Sequence, residues 1–364
     1  MAKIADQTLD KITLFTLNCS LFHGNRKLSA ADLKSALGVT IDVDTTKQVM
    51  ALGVKRVFDK TELAKLGGIK SAMLRACAAV GTPFLGGFAV PDSKSSDLAS
   101  DLDRLMAKGI GLKADLMACY QTVLDKFALA NPIWASIIKT NAFDQSYVEQ
   151  QIQFDWTAVR VAAADDGGIM SRGLTTKVGG LLGGLLADIS KAATQLAEDS
   201  LEGKNGVTRR AFRPLIKMAD KLDGFTFIDT RVGCLAEMIR HVLGQMPDDC
   251  RIEGADLRNL VGLTAILANP ERALILGQQI SNESVEDAFD AVFGAPYKVG
   301  LPIVVELPSS IKAELTEGLD SPVNQSASLV SAAIEAAPSD DGTPEATYAG
   351  IAYEAPLQAN VFGL

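Results

Sequence analysis

The chain has little of the chemistry on which most enzymes depend. It contains two histidines, His23 and His241, and five scattered cysteines. No C-x-x-C or H-E-x-x-H spacing occurs, so the sequence predicts neither a structural zinc site nor a metalloprotease site. A Ser-His-Asp or Cys-His centre needs an imidazole beside the nucleophile, and no G-x-S-x-G elbow accompanies either histidine. We therefore expect no catalytic residue, no metal and no cofactor.

Long apolar runs are also missing. A membrane-spanning helix needs roughly 20 apolar residues, and the longest candidate, 178–187, is half that length. The first residues, MAKIADQTLDK, lack the apolar stretch of a secretory signal peptide. An odd number of cysteines favours reduced thiols. A soluble cytoplasmic protein is expected.

Aromatic residues make up only 6% of the chain, whereas hydrophobic residues make up 48%. A core built mainly of Ala, Leu, Val and Ile favours helix-on-helix packing. We predict an elongated, mainly α fold with a small mixed α/β N-terminal part. The predicted divisions are 1–92 (mixed region), 93–228 (helical hairpin), 229–308 (short helices) and 309–364 (disordered acidic tail).

Charge is unevenly distributed along the chain. Of 44 acidic residues, eight follow Lys312, and no Lys or Arg follows it, so 35 basic residues face 36 acidic ones in the rest. A neutral body gives no general attraction for nucleic acid or an anionic membrane. The acidic tail ends in an apolar stretch, in which Phe362 and Leu364 are candidate partner contacts.

The N-terminal region contains a strand, two helices and a turn block. Alternation from Ile12 to Leu17 predicts a strand, Ser29 is a candidate N-cap of a short helix, and a helix is predicted over 61–80. The stretch 81–91 predicts a small hairpin. Its structural residues are Gly81, Pro83, Gly86, Gly87 and Pro91.

The clearest periodic signal is a heptad seam in the proline-free stretch 93–130. At 1.5 Å per residue, a helix of this length reaches roughly 54 Å. Gly109 on the seam is a predicted point of close helix packing. The seam consists of Leu98, Leu102, Leu105, Gly109, Leu112, Leu116, Cys119 and Val123.

A second helical stretch, to about residue 202, is predicted to be the antiparallel coiled-coil-like partner of the first. Its glycines resemble a phosphate loop, but the required Lys and Ser/Thr are absent. Small residues four apart let helices cross closely, so we predict helix packing, with a membrane-active hairpin as the alternative. The glycines are Gly179, Gly180, Gly183 and Gly184.

Basic residues cluster over 204–221. We interpret them as a solvated helix face paired with Asp220 and Asp223, and phosphate contact is the alternative. The residues chosen as candidate partner contacts are Arg209, Arg210, Arg213 and Lys217. Beyond them, helices are predicted over 231–245, 255–268 and 270–279.

Two sequence blocks carry a resemblance to a known family. The block GTPFLGGFAVP at 81–91 and the block FDW at 154–156, joined by the heptad helix, resemble bacterial domain-of-unknown-function family thirty-one fifty. The resemblance implies no catalytic activity. It implies carriage on phages, plasmids and integrative conjugative elements, and a gene position beside a MoxR-like AAA+ ATPase and a von Willebrand A protein.

Three functions therefore stand as expectations. The first is a non-enzymatic helical adaptor or assembly subunit acting with the ATPase. The second is a self-assembling homo-oligomer or membrane-active protein. The third, nucleic-acid binding through the basic cluster, is the least favoured because the body is neutral.

Overall fold

The structure is a computed structural model that describes residues 8–38, 53–162, 169–247 and 251–294. It is mainly helical, with a small antiparallel sheet formed by the N-terminal part, as predicted. The predicted disordered tail at 309–364 lies outside the described residues.

The first part of the chain carries every strand and the long helices. The strands are β1 (Ile12–Leu17), β2 (Asn25–Lys27), β3 (Val54–Arg56), β4 (Thr82–Phe84), β5 (Gly87–Pro91) and β6 (Trp156–Val159). The helices are α1 (Ala30–Leu37), α2 (Lys60–Val80), α3 (Asp92–Ala118), α4 (Tyr120–Ala130), α5 (Ala135–Thr140) and α6 (Gln145–Gln151).

The second part of the chain is helical throughout its described length. Its helices are α7 (Ile169–Gly179), α8 (Leu181–Leu196), α9 (Phe212–Gly224), α10 (Thr230–Gly244), α11 (Gly254–Leu267), α12 (Pro270–Asn282) and α13 (Val285–Phe289). The three short helices predicted beyond 229 correspond to α10, α11 and α12.

The main sheet lies between helices on both faces. Its strand order is β4-β5-β1-β6, all antiparallel, with Phe15 opposite Phe88 in the register of β1 and β5. Side chains alternate between the faces of a strand. Phe15 packs into the cluster around α2 and α3, whereas Ile12 and Leu14 pack against Val178.

The short helix α1 is held by a capping box and a buried ion pair. Ser29 and Asp32 cap each other reciprocally, and Gly38 ends the helix with φ of 68°. Lys55 Nζ lies 2.6 Å from Asp32 Oδ2 and 2.9 Å from Asn141 Oδ1. Burial opposes ionisation of Asp32, but hydrogen bonds from Lys55 and Ser29 outweigh it and lower the pKa of this carboxyl group.

Replacement of Asp32 with Asn should destabilise the protein at neutral pH by about 1–3 kcal/mol, because it removes a cap and one partner of a buried pair. The folded-state pKa lies below the unfolded value of about 3.9, so the carboxylate stabilises the fold above that pH and this stabilisation is lost as the pH falls through the folded value. Urea unfolding of both proteins should show the difference closing below about pH 4. A difference independent of pH would contradict this assignment.

The long helix α3 forms its main helical packing with α2. Phe58, just before α2, stacks on Tyr120, just after α3, with ring centroids 5.3 Å apart. At the other end a Cβ on Gly81 would lie 2.8 Å from Val90 Cγ2. The two helices are therefore antiparallel. The predicted pairing of α3 with the 169–202 stretch is not confirmed, because α8 in that stretch packs on α9, α11 and α12 instead.

The predicted continuous helix over 93–130 is interrupted at Cys119. This residue has φ of −110° and ψ of 13°, and it is exposed. The buried face moves on by one residue after the break, so Tyr120 and Leu124 are buried where the seam predicted Cys119 and Val123. The break therefore resets the phase of the apolar stripe.

Two large hydrophobic clusters form the core. The cluster of β1 and α2–α6 spans Phe15 to Phe154, and the cluster of α8–α13 spans Leu185 to Phe289. A smaller cluster links them through the sheet. The predicted divisions at 92 and 228 stay predictions, and the clusters themselves change between Phe154 and Leu185.

Within the described residues, no single helix is long and apolar enough to cross a membrane. The pair α11 and α12, bent by 110°, passes by length and composition together. Both helices contribute buried residues such as Leu263 and Leu274 to the core.

Candidate protein interaction site

Exposed apolar side chains mark the end of the α3–α4 arm that is farther from the main sheet. Leu129 on α4 is 83% exposed and Ile133, in the 3-10 turn Pro132–Trp134, is 64% exposed. Helix α1 packs on this turn, and its last residue, Leu37, is 52% exposed. We call Leu37, Leu129 and Ile133 the distal tip.

The opposite face of α4 explains why the tip is presented to solvent. The hydroxyl of Tyr120 donates to Phe143 O at 2.7 Å, and Leu124 is buried below it. Asn131 Nδ2 donates to Phe127 O at 2.8 Å and covers the helix end. With this face held in the core, Leu129 must point outward.

The turn block at 81–91 is built as a tight hairpin. Leu85 and Gly86 have φ of 46° and 80°, the left-handed pair that a type I′ turn requires. Gly87 lies against β1, since a Cβ there would be 2.3 Å from Phe15 O. Pro83 pairs with Phe88 in the β4–β5 ladder, and Pro91 is the N-cap of α3.

Gly109 lies where the ring of Phe154 crosses α3. A Cβ on Gly109 would be 2.8 Å from Phe154 Cδ2. Two residues away, Trp156 Nε1 donates to Asp103 Oδ1 at 3.0 Å. The FDW block thus packs on the middle of the long helix, and Gly109 provides the space for it.

Gly109→Ala and Gly111→Ala form a matched pair on one helix. At Gly109 the new methyl must displace a ring, so we expect a loss of about 1–3 kcal/mol in unfolding free energy. Gly111 is exposed and no described atom would contact its Cβ, so alanine should stabilise by about 0.5–1 kcal/mol through helix propensity. Denaturant melts measure both. Equal effects at the two positions would contradict the close approach.

The four glycines around 180 do not share one environment. A Cβ on Gly179 would meet no described atom within 4 Å, and one on Gly184 would meet only Thr82 Oγ1, at 3.8 Å. Gly183 is buried and Gly180 joins α7 to α8. The open space at Gly179 gives no close helix approach there, and Gly184 faces a strand instead of a helix.

The predicted basic cluster is split between the surface and the interior. Arg209, Arg210, Arg213 and Lys217 are exposed, and the guanidinium of Arg209 lies 5.8 Å from the centroid of the Phe212 ring. Asp220 and Asp223 do not pair with them, because both carboxylates bind Arg240 of α10.

Lys221, placed by its spacing in the same basic cluster, is buried instead. Its Nζ donates to Asp188 Oδ2 at 2.9 Å and to Ala78 O at 3.0 Å. The hydroxyl of Thr82 donates to the same carboxylate oxygen at 2.9 Å. The side chains of Lys221 and Asp188 are 9% and 27% exposed. This network joins α2 and β4 to α8 and α9, and so connects the two large clusters.

Sequence reasoning missed Lys221 and the distal tip for different reasons. The signal for Lys221 was available, because Met218 and Leu222 flank it on the apolar face of α9 and Leu215 continues that face. Leu129 carried no such signal, since an exposed and a buried leucine look alike in a sequence. Phe362 and Leu364 lie outside the described residues.

The thiols and histidines are distributed without a metal cluster among the described residues. Cys19 Sγ lies 3.8 Å from Met73 Sδ. Burial raises the pKa of the Cys77 thiol to about 12, so it stays protonated at neutral pH. His241 packs edge-on against Phe289, with centroids 5.2 Å apart.

A family model described as "Protein of unknown function (DUF3150)" matches residues 9–269. The match spans both clusters, from β1 to the start of α12. No curated protein and no solved structure matches the chain.

Proposed function

Because the chain belongs to the family of unknown function whose model covers residues 9–269, we propose that it is a non-enzymatic helical adaptor or assembly subunit of a MoxR-type AAA+ ATPase. The family resemblance supports this partner, together with a von Willebrand A protein, in a mobile-element or phage-related system. The finer architecture belongs to the same proposal. An elongated coiled-coil-like arm, now formed by α2 and α3, would present the distal tip, and 309–364 would form an acidic tail. A cytoplasmic location is part of it.

The observation that carries the proposal is the distal tip. Exposed apolar side chains brought together at one end of a molecule are typical of protein contact surfaces. Leu129 and Ile133 are among the most exposed large apolar residues of the described chain. Their helix is fixed by buried neighbours, so the surface is preformed and little ordering entropy opposes binding.

The test is a binding measurement with the MoxR-type ATPase encoded beside the gene, with and without nucleotide. The double variant Leu129→Asp/Ile133→Asp should weaken binding at least about tenfold, because central apolar contacts commonly contribute more than 1.4 kcal/mol. Ile110→Asp is the control, since Ile110 is 52% exposed on α3 but lies outside the tip. The control should bind like the wild type.

Two outcomes would contradict the proposal. Wild-type protein that binds no ATPase in either nucleotide state would remove the partner. Tip variants that bind as well as the wild type would remove the surface. Thermal melts of all variants should agree closely, because each altered side chain is exposed.

The same tip supports self-assembly as a second candidate. A second copy of the chain presents an identical apolar surface, and symmetric pairing of such surfaces is the commonest route to homo-oligomers. Light scattering during size-exclusion chromatography distinguishes a 38.5 kDa monomer from a defined assembly. An assembly that the double variant disperses would favour this candidate over the adaptor.

A further inference from the structure

One surface of the second cluster carries uncompensated positive charge. Arg210, Arg213 and Lys217 are exposed and lie on one side of α9 and the turn before it, with half-exposed Ile216 beside them. Within the part of the chain that the structure describes, none of the three makes an ion pair. We call these four residues the cationic face.

Two neighbouring features strengthen the positive potential of this face. The nearest acids along α9, Asp220 and Asp223, are both engaged by Arg240. The face also lies at the start of α9, where the helix dipole is positive. An anion placed there meets guanidinium donors in a geometry that suits carboxylates.

The chain itself carries a segment of complementary charge. Residues 313–364 contain eight acids and no Lys or Arg. Glu314, the first of these acids, is 20 residues beyond Gly294, the last described residue, and 20 residues span up to about 70 Å. Phe293 packs in the same hydrophobic cluster as Phe212 at the start of α9. The segment therefore reaches the face.

We propose that the acidic segment 313–364 docks on the cationic face of its own chain. The carboxylates bind Arg210, Arg213 and Lys217, and Ile216 contacts an apolar side chain of the segment. A tethered segment acts at an effective concentration of about 1 mM. A weak contact with a dissociation constant of about 0.1 mM then covers the face for roughly nine-tenths of the time. The segment thus competes with any external polyanion. This inference does not depend on the ATPase proposal.

Carbodiimide cross-linking of the full chain tests the contact directly. This reagent joins an amine to a carboxylate only when the two touch, so Lys217 should link to carboxylates of 313–364. Lys108, exposed on α3, is the control and should not. Arg210→Glu/Arg213→Glu should lower the Lys217 links at least about tenfold, because two charge-assisted contacts become repulsive. Links from Lys217 no more frequent than those from Lys108 would overturn the proposal.

Mixing isotope-labelled and unlabelled chains separates docking within a chain from docking between chains. Links confined to single chains are expected, and links found only between chains would overturn the assignment to the same chain.

Heparin serves as the external polyanion. Neutralising the eight acids as Asn or Gln should raise heparin affinity about tenfold, because the competitor is removed. Neutralising Asp97, Asp115 and Glu149, exposed acids on α3 and α6, should change it less than about twofold. Unchanged heparin affinity in the first variant would overturn the proposal, as would an equal gain in the second.

Discussion

Replacement of Lys221 with Met is expected to lower the free energy of unfolding by about 2–3 kcal/mol. Removal of one partner of a buried ion pair commonly costs about 3–5 kcal/mol. We expect the lower figure because Asp188 keeps 27% of its side chain exposed and water can still solvate it. The variant leaves a carboxylate and the carbonyl of Ala78 without their ammonium donor. Urea unfolding at neutral pH measures the effect.

A second substitution identifies the cause of that loss. Asp188→Asn removes the negative charge but keeps an oxygen that accepts from Thr82, so Lys221→Met/Asp188→Asn should recover at least half of the loss. Arg240→Met is the control for a surface pair, since Arg240 is 47% exposed, and should cost under about 1 kcal/mol. A double variant as unstable as the sum of the two singles would show that charge pairing does not explain the effect.

Gly87→Ala is expected to lower the free energy of unfolding by about 3 kcal/mol or more, which is the range of core overpacking with backbone displacement. The added Cβ would lie 2.3 Å from Phe15 O and 2.9 Å from Thr16 Oγ1. The first contact is backbone, so β1 and β5 must separate where Phe15 pairs with Phe88. Chemical denaturation measures the loss.

Gly68→Ala is the matched control for this prediction. Gly68 is exposed on α2 and no described atom would contact its Cβ. Alanine there should stabilise by about 0.5–1 kcal/mol. A Gly87→Ala protein as stable as the wild type would contradict the register of β1 and β5.

Local elements were predictable because their signals are local. Ser29 and Gly38 mark the two ends of α1 with a capping box and a left-handed residue. Gly86 marks the hairpin with a positive φ. The helix predicted over 61–80 is α2, Lys60–Val80. Each of these features depends on hydrogen bonds or dihedral angles within a few residues.

Tertiary features were not predictable in the same way. A heptad seam states that α3 has a partner but not which helix that is, and the partner is α2 because the β4–β5 hairpin returns the chain beside it. The break at Cys119 has no proline or glycine to announce it. Lys221 reads as a surface cation until α8 brings Asp188 to it.

The candidate site shows the same division. The spacing of Arg210, Arg213 and Lys217 on one exposed helix face agrees with the predicted solvated face, but their expected acidic neighbours pair with Arg240. The distal tip depends on which face of α4 the first cluster buries. That choice is made by Tyr120 and Phe143, which are distant in sequence from each other.

The most direct test of the adaptor proposal is a titration of the MoxR-type ATPase with the full wild-type chain, with ATP hydrolysis as the readout. We predict a saturable change in the hydrolysis rate that Leu129→Asp/Ile133→Asp reduces at least about tenfold in apparent affinity. A hydrolysis rate that stays constant across the titration, with no complex detected in either nucleotide state, would contradict the proposal.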